Sequence, residues 1–363
     1  MTDTSPPAPA DAQISKIVVG SRNSQLALVQ TNHVIGLMEK HYPEKSFDLV
    51  SMSTTGDKIL DKALPKIGEK SLFTKELETA LEAGDVQFVV HSLKDLPTTL
   101  PEGLVIGAVL EREDPRDALV MHKDLENNDL DSLPASSVIG TSSLRRKAQL
   151  LSKFPHLDVQ SIRGNVNTRL RKLDEKNEFS AIILAVAGLN RMGWNPRITK
   201  VLHGSEMMYA VGQGALAVEC VGDDLKTVQL LSVLHHRETA LQVVAERSFL
   251  CSLGGGCSAP VGVVSEICNE GKTLVLEGGV WSLDGDQKLT KKLSCNLEKS
   301  SEEPPRKKSA PSQQTTFCGI VSPASDIEHY RAAFKLGQDL ASALISEGAS
   351  SIMEEARKAN EPS

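Results

Sequence analysis

The chain is 363 residues long, 40% hydrophobic, 24% charged and 4% aromatic, with a formal net charge of −7. That length buries enough core for two or three domains without disulfide or metal staples, and so few aromatics argue against a protein that stacks bases on aromatic platforms. All six cysteines lie beyond residue 219, none in a C-x-x-C or a Cys/His cluster of zinc-ligand spacing, and H-E-x-x-H is absent, so no metal site is expected.

Residues 1–15 have no apolar core and carry acidic groups, so they read as a disordered tail rather than a signal or transit peptide. A cytoplasmic protein with reduced thiols is expected. The longest apolar run, 181–189, is far shorter than the ~20 residues that span a bilayer. Strands are expected over 16–20, 47–51, 86–91, 105–110, 118–121, 137–140, 158–162 and 181–185, and helices over 25–41, 74–83, 144–154, 166–176 and 187–192. Such alternation means α/β sheets with helices on their faces, and the Pro-bounded stretch 113–116 is the expected crossing between two lobes. A helical pattern over 238–253 stops at Gly254-Gly255-Gly256. Strand patterns follow at 261–265, 274–276, 279–281, 289–294 and 317–321, then helices at 330–347 and 350–359, a small α+β unit. Residues 298–316 are low-complexity and polar, and are expected to be a mobile insertion.

The net charge hides a local reversal. Residues 141–200 hold twelve Lys/Arg against four Asp/Glu, a local +8 that leaves −15 for the remainder. Arginine predominates, and its planar fork suits carboxylate or phosphate. Three strand-to-helix junctions share a chemistry: Gly20-Ser21-Arg22-Asn23-Ser24, Gly140-Thr141-Ser142-Ser143-Leu144-Arg145-Arg146, and Arg163-Gly164-Asn165. Ser, Thr and Asn there also serve as ordinary N-caps. Arginine is unfavourable at the positive end of a helix unless an anion occupies the site. In open α/β sheets these junctions line the crevice at the carboxyl ends of the strands, so a cleft that binds several carboxylates or phosphates is expected. No fingerprint narrows this to a nucleotide: the P-loop pattern is absent, and Gly212-Gln213-Gly214 lacks the third glycine of a dinucleotide loop.

The segment His91-Ser92-Leu93-Lys94-Asp95-Leu96-Pro97 follows an apolar strand, which delivers Lys94 and Asp95 to the cleft, although the same residues also read as a plain turn. An ionised Asp95 among arginines could stabilise a cation or shuttle a proton. Lys58, Lys62, Lys66 and Lys70 recur at four-residue intervals, interrupted by Pro65 and Gly68, in a segment that reads as either a lid or a surface loop. Cys257 follows three glycines that allow close backbone approach, yet no sequence neighbour lowers its pKa. The other five cysteines are expected to be packing residues.

Together these segments resemble the porphobilinogen deaminase (hydroxymethylbilane synthase) family of haem biosynthesis over about 17–360, most densely at 53–57, 90–97, 140–146, 162–173, 209–216 and 255–258. The segment 298–316 resembles the extra segment of vertebrate-type members. The resemblance implies an α/β fold with two periplasmic-binding-protein-like lobes built on mixed sheets, plus a small α+β C-terminal domain. Domain 1 would span 16–112 and 210–235, domain 2 116–209, and domain 3 237–363. It implies a transferase that deaminates and condenses four porphobilinogen molecules head to tail on a dipyrromethane cofactor, releasing hydroxymethylbilane. The cofactor would be joined to Cys257 by a thioether, with Asp95 as the catalytic carboxylate. Positions matching cofactor-binding residues are Lys94, Ser142, Ser143, Arg145, Arg146, Arg169, Arg191 and Gly214. Those matching substrate-binding residues are Arg22, Ser24, Ser92, Thr141, Arg163, Gly164 and Gln213, and the loop with Lys58, Lys62, Lys66 and Lys70 matches the lid. A monomer without metal, nucleic-acid or membrane partner is implied. Two departures stand out: Gly254 where many members carry Glu or Asn, which could loosen the cofactor turn, and Lys147 in place of a commoner small residue.

Two rival readings remain open on the residues alone. One is a non-catalytic cytosolic binding protein for a small polyanion; the other is a nucleic-acid binder using the basic block, against which the acidic remainder argues.

Overall fold

The computed structural model describes residues 16–54, 56, 74–175, 178–256, 259–297 and 314–360. The tail, residues 298–313 of the expected insertion, the four lid lysines and Cys257 lie outside the described residues.

The N-terminal segment alternates strands with helices, as its periodicity requires. β1 (Lys16–Arg22) leads to Ser24, whose side chain accepts from the Ala27 N–H and caps α1 (Gln25–His41). This helix buries Ala27, Gln30, Thr31, Val34, Ile35 and Met38, one face at helical spacing. β2 (Ser46–Met52), α2 (Lys75–Glu82), β3 (Phe88–Ser92) and β4 (Leu104–Val109) follow. The chain then crosses to β5 (Asp117–Met121), β6 (Val138–Gly140), α3 (Leu144–Lys153), β7 (Asp158–Gln160), α4 (Val166–Glu175), β8 (Ala181–Ala185), α5 (Val186–Arg191) and β9 (Lys200–Leu202). It returns as β10 (Leu216–Val221), which inserts antiparallel between β3 and β4, and α6 (Leu225–Leu231).

Among the described residues the first sheet has the order β14 (Thr316–Phe317), β15 (Ile320–Val321), β4, β10, β3, β1, β2, and the second β7-β6-β8-β5-β9. Both mix parallel and antiparallel pairs, and each has packed apolar clusters that include Phe88 and Leu77 in the first lobe, Ile139 and Leu184 in the second. The expected two-lobed α/β architecture is therefore observed. The third unit comprises α7 (Arg237–Ser252), a three-stranded antiparallel sheet of β11 (Val261–Cys268), β12 (Thr273–Trp281) and β13 (Lys288–Asn296), and helices α8 (Ile327–Ser346) and α9 (Ala349–Asn360).

Several local expectations change. The strands read at 274–276 and 279–281 are one strand, because Gly278 and Gly279 keep extended pairing and make room for neighbours: a Cβ on Gly278 would stand 2.5 Å from Phe249 Cζ. The strand read at 317–321 is two short ones, β14 (Thr316–Phe317) and β15 (Ile320–Val321), reversed at Cys318 and Gly319 with φ of 49° and 81°. They extend the first sheet beside β4 rather than the third unit's sheet. β9 has no counterpart among the expected elements, being three residues long. Of the cysteines expected to pack, Cys220 is buried, but Cys251 is exposed at the end of α7 and Cys268, Cys295 and Cys318 are partly buried.

Gly254 corrects another expectation. Its φ of +64° and the Gly255 N–H to Leu250 carbonyl bond of 3.0 Å form a left-handed helix stop after α7. Glycine adopts that conformation at least cost, so Gly254 suits the turn instead of loosening it.

Candidate active site

The carboxyl ends of β1 and β3, the crossover at 213–215 and the helix starts of the second lobe face one another across a cleft of about 300 Å³. Its lining brings together Arg22, Ser24, Ser92, Lys94, Asp95, Ser142, Arg146, Arg163, Gly164, Arg169, Arg191, Gln213 and Gly214. The three arginine-bearing junctions thus converge in space, joined by the end of β3 and the crossover.

Asp95 closes a single 3₁₀ turn, Leu93–Asp95, set directly on the end of β3. Leu93 and Leu96 on either side are 1% and 2% exposed, so the turn is pinned by two buried leucines while Asp95 stands exposed at the cleft. Lys94 reaches back to the Gln213 Oε1 at 3.4 Å. Burial brings its ammonium down to about 8, and the nearby Arg146 and Arg145 add to that lowering while Asp95 and Asp117 oppose it.

The arginines divide into two kinds. Arg145 and Arg146 are 4% and 5% exposed and share one buried carboxylate, Asp117, at 2.7 Å each. Burial alone would raise the Asp117 carboxyl, but the two guanidiniums outweigh it and hold the group well below the usual carboxylate range. Gln213 donates its amide to the same carboxylate at 2.8 Å, so Asp117, Gln213 and Lys94 form a continuous chain from the second lobe into the first. Arg145 also donates to the Met208 carbonyl at 2.6 Å and does not line the cleft. Thr141 and Ser143 also point to local duty: Thr141 accepts from the Ser143 N–H at 3.2 Å, and Ser143 caps α3 by accepting from the Arg146 N–H.

Arg169 and Arg191 are the second kind. Each makes one described bond to protein, Arg169 Nε to the Gly164 carbonyl and an Arg191 Nη to the Gly214 carbonyl, both 2.7 Å. Burial brings each down to about 10; Arg146 and Arg163 crowd Arg169 further, whereas Glu113 opposes the effect at Arg191. These guanidiniums stay cationic at neutral pH, yet among the described residues no carboxylate bonds to them. Desolvated cations of this kind are stabilised by a bound anion with several carboxylates. A dipyrromethane with its acidic side chains fits that donor set.

Two glycines shape the wall. Gly214, at φ +88°, would place a Cβ 2.3 Å from the Glu113 carbonyl, and Gly164, at φ +113°, would place one 2.7 Å from Thr168. Ser142 donates to the Ile162 carbonyl at 2.5 Å, and Ser92 shares a 3.0 Å bond with the Gln30 amide. Gln30, Asp117 and Glu113 escaped the sequence reading. Asp117 did leave a signal, as a charged residue opening the wholly buried strand β5.

Comparison with known proteins bears on this geometry. The family described as porphobilinogen deaminase, dipyromethane cofactor binding domain, matches residues 17–229, and the porphobilinogen deaminase C-terminal domain matches 240–307. The chain belongs to the porphobilinogen deaminase family. A porphobilinogen deaminase of Synechococcus elongatus is 53% identical over 77% of this chain and 86% of its own length. One from Prochlorococcus marinus strain NATL1A is 45% identical over 94% of this chain and 97% of its own length. Among solved structures, the Bordetella pertussis BvgS VFT2 domain is similar with a TM-score of 0.36 and 12% identity over 63% of this chain and 91% of its own. The periplasmic aliphatic sulphonate binding protein SsuA of Escherichia coli is similar with a TM-score of 0.33 and 13% identity, over 67% and 76%. Family membership brings the dipyrromethane cofactor with it. Among the described residues no helix is long and apolar enough to cross a membrane, and no group of His, Cys, Asp or Glu is placed to hold a metal ion.

Proposed function

We propose that this cleft carries out the family's reaction, the head-to-tail condensation of four porphobilinogen molecules with loss of ammonia to give hydroxymethylbilane. The observation that carries the reading is the set of desolvated arginines without carboxylate partners among the described residues, facing one exposed aspartate. The dipyrromethane, joined to Cys257 by a thioether, supplies the growing end of the chain when bound. Arg146, Arg169 and Arg191, with Lys94, hold its carboxylates, and Arg22 and Arg163 take those of incoming substrate. Ser24 adds a neutral hydroxyl, while Ser92, Ser142 and Gln213 line the cleft with side chains held by Gln30, the Ile162 carbonyl and Asp117. Asp95 holds a proton at the aminomethyl nitrogen as ammonia departs and stabilises the positive charge left on the pyrrole. Arg145, Thr141 and Ser143 support the wall behind Arg146, a role that fits their contacts.

We assign domain 1 to 16–112 and 210–235, domain 2 to 116–209 and domain 3 to 237–363, with β14 and β15 lent to the first sheet. A cytoplasmic monomer completes the reading. Its finer placement as a vertebrate-type member rests on the segment 298–316 alone; the relatives named above are cyanobacterial and lend it no support.

Intact mass of the purified protein tests the reading. The expected result is an adduct of two pyrrole units, absent in Cys257→Ser, together with hydroxymethylbilane formation from porphobilinogen. Asp95→Asn is expected to keep the adduct and lose most turnover. A wild-type protein with unmodified mass that binds polyanions without turnover would leave a binding protein as the answer.

A further inference from the structure

Arg247 lies at the middle of α7 and is 1% exposed. One Nη donates to the Leu96 carbonyl at 3.2 Å and the other to the Pro97 carbonyl at 2.6 Å, while Nε and that second Nη both reach the Cys318 carbonyl at 3.2 and 3.0 Å. Leu96 and Pro97 are the two residues that follow Asp95. Their carbonyls belong to no strand, because β4 does not begin until Leu104. Buried carbonyls in irregular backbone must find donors somewhere, and here one guanidinium supplies them. The upstream side of the same turn is fixed by the Leu93 N–H to the Ala215 carbonyl at 3.0 Å. Asp95 is therefore gripped from before by the crossover and from behind by the third domain.

Burying a cation costs several kcal/mol that an apolar side chain of the same size would avoid. The position keeps a charge that makes four bonds to main-chain oxygens of this bend and of Cys318. We propose that Arg247 is a positioning residue for the reaction, holding the turn that aims Asp95 into the cleft. The proposal rests on the reading of Asp95 as the catalytic carboxylate. It also gives α7 a second duty: about 9 Å further along, at 1.5 Å per residue, the helix gives way to the glycine turn that leads in sequence to Cys257. One rigid element then sets both the acid and the approach to the point where the cofactor is attached.

The side-chain chemistry makes this testable. Lysine keeps the charge but has one donor nitrogen and cannot span three carbonyls as the fork does. In the cofactor-loaded enzyme, Arg247→Lys is expected to lower kcat between about tenfold and a hundredfold, the range a misplaced catalytic group produces, with KM within about twofold of wild type and the two-pyrrole adduct intact by mass. Combined with Asp95→Asn, it is expected to add little, since the group it positions is already disabled. Ser248→Ala, which loses only a bond to the Phe334 carbonyl on α8, is the control for disturbance of the helix and keeps wild-type kcat. Arg247→Gln retains one planar donor and serves if the lysine variant folds poorly. A folded, loaded variant with wild-type kcat, or losses that multiply with Asp95→Asn, would overturn the proposal. A wild-type enzyme without turnover would overturn the reading of the site instead.

Discussion

At the scale of single residues, the cleft holds buried cations, Arg169 and Arg191, to which no carboxylate among the described residues bonds. Lys94 shows the consequence most directly. Its ordinary value is 10.5 and burial brings it to about 8, so it carries its charge below that pH and loses it as pH rises through it. A charge-assisted bond to a carboxylate contributes about 1.5–3 kcal/mol. The Kd of the cofactor-free Cys257→Ser protein for porphobilinogen is therefore expected to rise about tenfold or more from pH 7 to pH 9.5. Adding Lys94→Arg to that protein should hold its affinity across the same span, and a flat profile with Lys94 in place would remove Lys94 from the binding set. Asp117 is the opposite case, a single carboxylate holding two buried guanidiniums. Asp117→Asn leaves both uncompensated, and breaking such a pair costs about 3–5 kcal/mol. Urea unfolding should show that loss, whereas Asp174→Asn, which breaks the half-exposed pair with Arg197, should cost under about 1 kcal/mol.

Individual elements show why parts of the site were legible and others were not. Arginine at a helix N-terminus is a local anomaly, so the junctions at Arg22, Arg146 and Arg163 could be read from neighbouring residues, and all three line the cleft. Arg145 carries the same local signal, but its contact could not be read locally: Asp117, which it meets, lies on β5, 28 positions away. The contacts of Arg247 with Pro97 and Cys318 were invisible because they go to carbonyls, which every residue possesses, separated from it by 150 and 71 positions. The glycines of β12 read as a break because what they make room for, Phe249 at Gly278 and the Trp281 ring at Gly279, is not a neighbour in the pattern. The crossing of α7 and α8 depends on a glycine in the same way. A Cβ on Gly337 would lie 2.2 Å from the Ala245 carbonyl and 2.7 Å from the Phe249 nitrogen, backbone that cannot step aside. Gly337→Ala is expected to push the helices apart and cost about 1–3 kcal/mol, the usual penalty of overpacking. The urea midpoint measures it; an unchanged midpoint would mean the helices are free to slide.

At the scale of the whole molecule, the third unit touches the first through buried polar joints as well as apolar packing. α7 contributes Glu246, which takes Arg112 at 2.6 Å and the Gly212 N–H at 2.8 Å and so ties down the crossings between lobes. His235 makes another joint. Its Nδ1 accepts from the Val109 N–H on β4 at 3.2 Å, so the neutral ring carries its proton on Nε2 and donates to the Tyr330 hydroxyl on α8 at 2.6 Å. That arrangement exists only for the uncharged imidazole. Burial pushes the ring down from 6.5 to about 4; His236 adds to the lowering and Asp326 opposes it. As pH falls, the unfolded chain takes up this proton first, so stability present above pH 6.5 is lost progressively between 6.5 and 4. Each pH unit within that window costs about 1.36 kcal/mol, so the loss should reach about 2 kcal/mol by pH 5. His235→Gln can accept and donate in the same directions without titrating. Its urea midpoint should therefore fall less than the wild-type midpoint between pH 7.5 and pH 5, the difference between the two isolating His235 from every other group that titrates there. Equal falls would mean that the joint tolerates the charged ring, and that the contact between β4 and α8 does not rest on this proton.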